Sequence, residues 1–343
     1  MKAAVLTGHG GAEVVELVND LPVPEPGAGE ARVRIKAAAL NRLDLWVRAG
    51  WRGLALDFPH VICADGAGIV DAVGAGVARF VPGDRVCINP SIVPPDDPAL
   101  QTGLENQTRI SILGEHHSGT AAELVVLPQR NLLKMPTEFD FGAAAAVGLA
   151  GVTAWHSLIT RGGLQPGETA LIVGAGGGVN SLSIQIAKLA GAQVFVVGSN
   201  AEKCAQAETI GADITINRER EPQWSRAVAR LTGRRGVDVV VDNVGAASLE
   251  QSMRACRIGG RILVVGGTSG YRFDMNVAQL FSRHLALIGS TMGPHQDYQR
   301  FMQQVFANRI QAVIGERLPL REARYAQTLL ENNAIFGKVV LEL

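Results

Sequence analysis

The sequence has little of what several function classes require. Its 343 residues include four cysteines, Cys63, Cys87, Cys204 and Cys256, at spacings of 24, 117 and 52 residues. No CxxC pair exists, so neither a disulfide framework nor a zinc knuckle is expected. An excess of one charge is missing too, because 32 Lys and Arg balance 32 Asp and Glu. A neutral chain offers no electrostatic footprint for nucleic acid. Aromatic residues make up 5% of the chain, which leaves few stacking platforms for single strands. No run approaches the roughly 18 apolar residues of a membrane span. The first residues, Met1–Leu17, contain no apolar stretch of signal-peptide length. A cytoplasmic location is therefore expected, with no membrane and no nucleic-acid partner.

What the chain does have is a foldable core and much glycine. Apolar residues at 47% and charged residues at 19% argue for a globular protein. The length suits two domains of about 150 residues each. Glycine supplies 40 of the 343 residues with no G-X-Y period, so the excess must serve tight turns and close backbone approach.

The first 130 residues read as short strands. Lys2–Leu6, Ala31–Ala37 and Ala67–Val73 run or alternate apolar, with turns at Pro22-Val-Pro-Glu-Pro and Val81-Pro-Gly-Asp. Between Ile88 and Gly119 the pattern collapses into a proline-bearing lobe expected to be neither helix nor strand. Phe141–Ile159 is a small-residue helix. From Glu168 onward, fully apolar strands alternate with helices of 8–12 residues. The strands are Ala170–Val173, Gln193–Val197, Ile214–Asn217, Val237–Val241, Arg261–Val265 and Leu285–Ile288. Such alternation predicts an α/β doubly wound parallel sheet covered on both faces. The last strand, Phe336–Leu343, is returned to the first domain. The expected division is residues 1–149 with 294–343, and 150–293.

The strongest local signal is Leu171-Ile-Val-Gly-Ala-Gly-Gly-Gly-Val-Asn-Ser, placed between a strand and a helix. Glycines there let the chain reverse and set the helix N-terminus against a pyrophosphate, so Gly176, Gly177, Gly178 and Val179 are candidate cofactor contacts. The third glycine of a G-x-G-x-x-G count falls on Val179, or on Asn180 when one residue is added. The small residue that permits close helix–strand packing is thus expected to be missing. The second strand ends in Gly198-Ser199-Asn200 without the carboxylate that grips a ribose 2′-OH. Ser199 and Asn200 can donate to a 2′-phosphate and Lys203 can neutralise it, which favours NADPH over NADH. Alternatively, Asn200 caps the following helix and Lys203 is solvated.

Several strings, in order along nearly the whole chain, resemble the medium-chain dehydrogenase/reductase superfamily. They are Asn41-Arg-Leu-Asp44, Asp65-Gly-Ala-Gly-Ile-Val70, Val81-Pro-Gly-Asp-Arg-Val86, Ala150-Gly-Val-Thr-Ala-Trp155, Ala187–Ala192, Gly211-Ala-Asp213, Asp238–Asp242, Gly259-Gly260 and Phe336–Val340. The resemblance implies a strand-rich GroES-like catalytic domain beside a Rossmann cofactor domain. Zinc alcohol dehydrogenases have a Cys where this chain has Asn41. They have Gly-His-Glu at Cys63-Ala64-Asp65 and a further ligand near Leu149. Asn, Ala and Leu do not rebuild that site. The lobe Asn89–Gly114 resembles the structural-zinc lobe, with Pro94, Asp97, Leu100 and Thr108 at its cysteine positions. No metal is expected, and the chain resembles the zinc-free quinone oxidoreductase branch.

The same resemblance puts Asn41, Asp44, Trp46 and Asp65 at the catalytic site. It sets the nicotinamide near Asn41, Thr153, Asn243, Val244, Gly266, Gly267 and Thr268, and sends Lys338 to the cofactor phosphates. Asp44 is expected to orient its surroundings rather than act as a base. Trp46 stands where quinone oxidoreductases often carry tyrosine, and either shapes an apolar substrate pocket or fills core. His116 and His117 are expected to be exposed, His60 to sit in a turn, and Cys63 to be a buried packing residue.

Without a metal, hydride transfer suits acceptors that spread charge themselves, namely quinones and α,β-unsaturated carbonyls. Two alternatives remain open: an alcohol/aldehyde dehydrogenase or pathway-specific reductase on this scaffold, and a catalytically retired NADPH-binding or RNA-binding protein. A small-molecule substrate is expected. So is a homodimer or homotetramer formed through the strand near residues 285–289.

Overall fold

The computed structural model describes residues 1–94, 96–102 and 110–343. The chain divides into two compact units, Met1–Ala150 with Pro294–Leu343, and Gly151–Gly293.

The Gly151–Gly293 unit is built on six parallel strands. In spatial order they are Ile214–Asn217, Gln193–Gly198, Thr169–Val173, Val237–Asp242, Cys256–Val264 and Ala286–Gly289. That is the 3-2-1-4-5-6 order of a dinucleotide-binding fold, as the apolar strand runs predicted. The central strand Val237–Asp242 is buried at every position, because helices such as Gly178–Leu189 and Leu249–Ala255 cover the sheet. Phe195, Trp224 and Met253 fill the core with the β-branched strand residues. The fifth strand starts earlier than its apolar run suggests. Its register with Val237–Asp242 breaks, pairing Val237 with Cys256 and then Val239 with Arg261, and Gly259 takes φ +71° inside the bulge.

The other unit is antiparallel at heart. Leu132–Lys134, Arg85–Ile88, Asp65–Val73, Glu30–Ala39 and Lys338–Glu342 pair in that order, and Ile314–Pro319 adds parallel to the last. Leu124–Pro128 also joins Glu30–Ala39, while Val15–Val18, Ala3–Leu6 and His60–Val61 form a small second sheet. Strands from both sheets, with Leu320, Ala326 and Leu330 from the C-terminal part, share one core.

Two expectations change. The lobe after Ile88 is not wholly irregular, since Ser91–Ile92 pairs with Ser111–Ile112 and Ala99–Thr102 forms a helical turn. Pro94, Asp97 and Leu100 belong to the described residues, whereas Thr108 lies outside them. Also, Phe141–Arg161 is one helical run of 21 residues, long and apolar enough by composition alone to cross a membrane. Alanine and glycine make it apolar without any long run of large side chains, and 78% of its most apolar window is buried in the protein. It has the character of a core helix.

Candidate functional site

In the Gly151–Gly293 unit, the strand Thr169–Val173 ends at Gly174, with φ +110°, and the helix Gly178–Leu189 begins after Gly177, with φ +85°. Both values favour glycine. Gly177 is the helix N-cap, no side chain caps that end, and a Cβ built on Gly177 would meet nothing within 4 Å. Unpaired amides and open space therefore coincide.

The departure at the third glycine has a physical answer. Asn180 is buried and its Nδ2 donates to the Gly176 carbonyl at 3.1 Å and to that of Val173 at 3.5 Å. A Cβ on Gly174 would lie 2.4 Å from that nitrogen, so the bare Gly174 is what admits the Asn180 side chain. Close packing is kept by a matched pair rather than by a third glycine. Asn180 Oδ1 accepts from Asn243 Nδ2 at 2.9 Å, and the Asn243 carbonyl accepts from the Thr268 amide at 3.3 Å. Asn243, Val244, Gly266, Gly267 and Thr268 thus belong to loops tied to the glycine turn. Thr153 lies apart on its helix, buried, with its hydroxyl donating to Met292 Sδ at 3.9 Å.

The strand Gln193–Gly198 ends at a glycine whose Cβ would strike Cys204 Sγ at 2.4 Å, so no carboxylate side chain fits there. Ser199 follows, half-buried. Asn200 Oδ1 accepts the Lys203 amide at 2.9 Å and caps the helix Ala201–Thr209. The capping alternative holds for Asn200, and its Nδ2 is not part of the cap.

A second constellation lies wholly within the other unit. Asn41 precedes the helix Arg42–Ala49, and the Asp44 carboxylate accepts the Asn41 amide at 2.7 Å and the Cys63 amide at 2.8 Å. Cys63 has φ +72°, a left-handed conformation that a side chain resists, so Asp44 fixes a strained backbone. Burial pushes the Asp44 carboxyl up to about 6, against the pull of those two amides and of the Lys338 charge. Burial also pushes the Cys63 thiol far up, so Cys63 is no nucleophile.

Asp65 is fully buried and each of its carboxylate oxygens accepts a hydrogen bond. Oδ1 accepts the Leu149 amide at 2.6 Å, and Oδ2 accepts Asn41 Nδ2 at 2.8 Å and Lys338 Nζ at 3.1 Å. Lys338 Nζ also donates to Asn41 Oδ1. Thr120 Oγ1 holds the Asp65 carbonyl at 2.6 Å, and Gly148 must be glycine because its Cβ would sit 2.5 Å from Asp65 Oδ1. In this unit Lys338 turns toward Asp65 and Asn41. Its ammonium is buried and satisfied by a carboxylate, and withdrawing it would strand both charges.

Trp46, on the same helix as Asp44, is 38% exposed and fills no core. His60 is not a turn residue but a buried strand residue opposite Leu6, held neutral by burial. His116 and His117 are exposed.

Zinc needs lone pairs that face an ion. Ala64 has none, Leu149 presents a donor, and the oxygens of Asn41 and Asp65 already face N–H groups and an ammonium. Among the described residues no three His, Cys, Asp or Glu side chains could hold a metal ion. This donor set does not fit a catalytic zinc.

Comparison with known proteins sets these sites in a family. The alcohol dehydrogenase GroES-like domain model matches residues 27–137, and the zinc-binding dehydrogenase model matches residues 178–307. A quinone oxidoreductase of Pseudomonas aeruginosa is 33% identical over 99% of both chains. The chain belongs to the medium-chain dehydrogenase/reductase superfamily. A zinc-type alcohol dehydrogenase-like protein of Schizosaccharomyces pombe is 31% identical over 92% of this chain and 91% of its own. The crystal structure of an NAD-dependent alcohol dehydrogenase matches with TM-score 0.96 and 45% identity over the whole of both chains. As a member of this superfamily, the chain is an NAD(P)H-dependent oxidoreductase. When bound, the nicotinamide group would donate or accept the hydride. The turn Gly174–Gly178 fits the dinucleotide, since its uncapped amides and the space over Gly177 suit a pyrophosphate.

Proposed function

We propose that the chain is an NADPH-dependent, zinc-independent reductase that delivers hydride to a quinone or an α,β-unsaturated carbonyl. The observation that carries this reading is the closed Asn41–Asp65–Lys338 network, whose oxygens are all committed to donors within the protein. A conjugated acceptor takes hydride at carbon and spreads the charge to an oxygen that hydrogen-bond donors can stabilise. No Lewis acid is needed for that step. NADPH is favoured because the strand end Gly198-Ser199 offers no carboxylate to repel a 2′-phosphate. The 33% identical quinone oxidoreductase and a 28% identical crotonyl-CoA reductase of Streptomyces collinus support this class of acceptor. In this reading the enzyme works in the cytoplasm as a homodimer or homotetramer. Among the described residues the strand Ala286–Gly289 has a sheet partner on one side only, and a second copy would pair with the other.

The 45% identical NAD-dependent alcohol dehydrogenase favours a second reading, with NAD and a simple alcohol or aldehyde. Purified, chelator-treated protein should be offered NADPH and NADH with a naphthoquinone, an enone and an aldehyde. Turnover of NADPH with a conjugated acceptor, undiminished by chelation, is expected. Aldehyde turnover alone, or a requirement for added zinc, selects the second reading. NADPH binding with no turnover of any acceptor would mark a retired enzyme.

A further inference from the structure

Lysine is among the side chains least often buried, because its ammonium gives up hydration that only an anionic or polar cage replaces. Lys338 is 4% exposed, on a strand otherwise buried as far as Leu341. Its cage is unusual in charge. Nζ meets one carboxylate at Asp65 and one amide oxygen at Asn41, while a second buried carboxylate, Asp44, lies near enough for its ionisation to feel the ammonium. Asn41 ties the group together, since its Nδ2 donates to Asp65 and its Oδ1 accepts from Lys338, which fixes the amide's orientation. With Lys338 in place and both carboxyls ionised, the group is one negative charge from neutral; without it, two negative charges share a buried pocket. The two oxygens that Nζ meets, Asp65 Oδ2 and Asn41 Oδ1, are hard donors of the kind a divalent cation takes.

We propose that the Lys338 ammonium is the resident cation of this group, a covalently attached positive charge that orders Asn41 and Asp65 and keeps divalent metal out. The proposal deepens the metal-independent half of the reading above and rests on that half alone; cofactor and acceptor can differ without touching it. Lys338 acts as a positioning residue here, through the atoms it holds.

The test compares Lys338→Ala, which leaves a hole of lysine length, with Lys338→Met, which keeps the bulk and loses the charge. Each variant should melt about 5–10 °C below wild type. In Lys338→Ala, n-propylammonium chloride should restore at least half of that loss, and tetramethylammonium chloride at the same ionic strength should not. Neither salt should rescue Lys338→Met, where the methionine fills the hole. If Lys338→Ala does not fold alone, it is refolded with n-propylammonium, and failure there counts against the proposal. Zinc titrated into chelator-treated wild type should leave melting unchanged. Lys338→Ala should take up one zinc that Lys338→Ala/Asp65→Asn does not.

Equal rescue by the two salts, or Lys338→Met as stable as wild type, would overturn the proposal and leave the metal-independent reading standing. One zinc bound per wild-type chain, abolished by Asp65→Asn, would overturn both.

Discussion

The glycine turn of the Gly151–Gly293 unit and the Asn41 cluster of the other unit treat polar atoms in opposite ways. At the turn, helix amides are left uncapped beside open space at Gly177. In the cluster, Asp65 accepts from a backbone amide, an amide side chain and an ammonium, and Asp44 accepts from two backbone amides. A site that waits for a polyanion must leave donors unmatched, while a buried group of charges is tolerable only when every member is matched. The difference suits the first to an anionic ligand and holds the side chains of the second in place.

The largest expected effect comes from opening what is closed. Asp65→Asn keeps the shape but replaces a carboxylate oxygen by an NH2 group that must face one of three donors, and it leaves the Lys338 ammonium without its counter-charge. Breaking a buried pair by neutralising one partner costs about 3–5 kcal/mol. Urea unfolding of the ligand-free protein should show a loss of that order. A loss below about 1 kcal/mol would mean that Lys338 finds other partners and that the cluster is not closed.

Filling what is open should act differently. Gly177→Val places a branched side chain at φ +85° and ψ 160°, a region that is essentially glycine's alone, which costs about 1–3 kcal/mol in stability. It also occupies the space beside the helix amides, so affinity for NADPH measured by calorimetric titration should fall at least about tenfold. Unchanged affinity would show that the dinucleotide does not use this turn.

The two regions were unequally legible in the sequence. The six parallel strands announce themselves as apolar runs separated by turns, and the glycine turn is local, so strand, turn and helix were all visible together. Its repair by Asn180 was not visible, because that depends on a side chain reaching back to Gly174 and Gly176. The motifs single out Asn41, Asp44 and Asp65, but nothing in them shows which partners hold their side chains. Lys338 and Asp65 lie 273 residues apart, and pattern alone does not show which carboxylate captures a given lysine. One signal was available, since Lys338 interrupts the apolar ending Val339-Val-Leu341, a setting in which a lysine needs a buried partner. Cys63 gave no sign of its left-handed backbone, for cysteine does not advertise positive φ as glycine does. His60 is strand rather than turn because it pairs with Leu6, a partner 54 positions away that local pattern does not reveal.

The smallest expected effect probes Asp44. Asp44 ionises at about 6 in the folded protein against an ordinary 3.8, chiefly because burial disfavours its charge. Between those values the folded protein holds a proton that the unfolded chain has released. Stability from this group therefore falls as pH rises from about 4 to about 6, and returns on acidification. From pH 7 to pH 5, wild type should gain about 1 kcal/mol on this account, a gain that Asp44→Asn cannot make. Urea unfolding of both proteins at the two pH values isolates the effect, because all other titrating groups cancel in the difference between the two gains. Asp44→Asn should also be less stable than wild type at both pH values. An asparagine cannot accept both the Asn41 and Cys63 amides through its single oxygen without distortion, and a buried donor left unmatched costs about 1–3 kcal/mol. If the two proteins gain equally on acidification, the Asp44 carboxyl titrates in the ordinary range. The amides and the Lys338 charge would then outweigh its burial, and the cluster would be closed electrostatically as completely as it is in its hydrogen bonds.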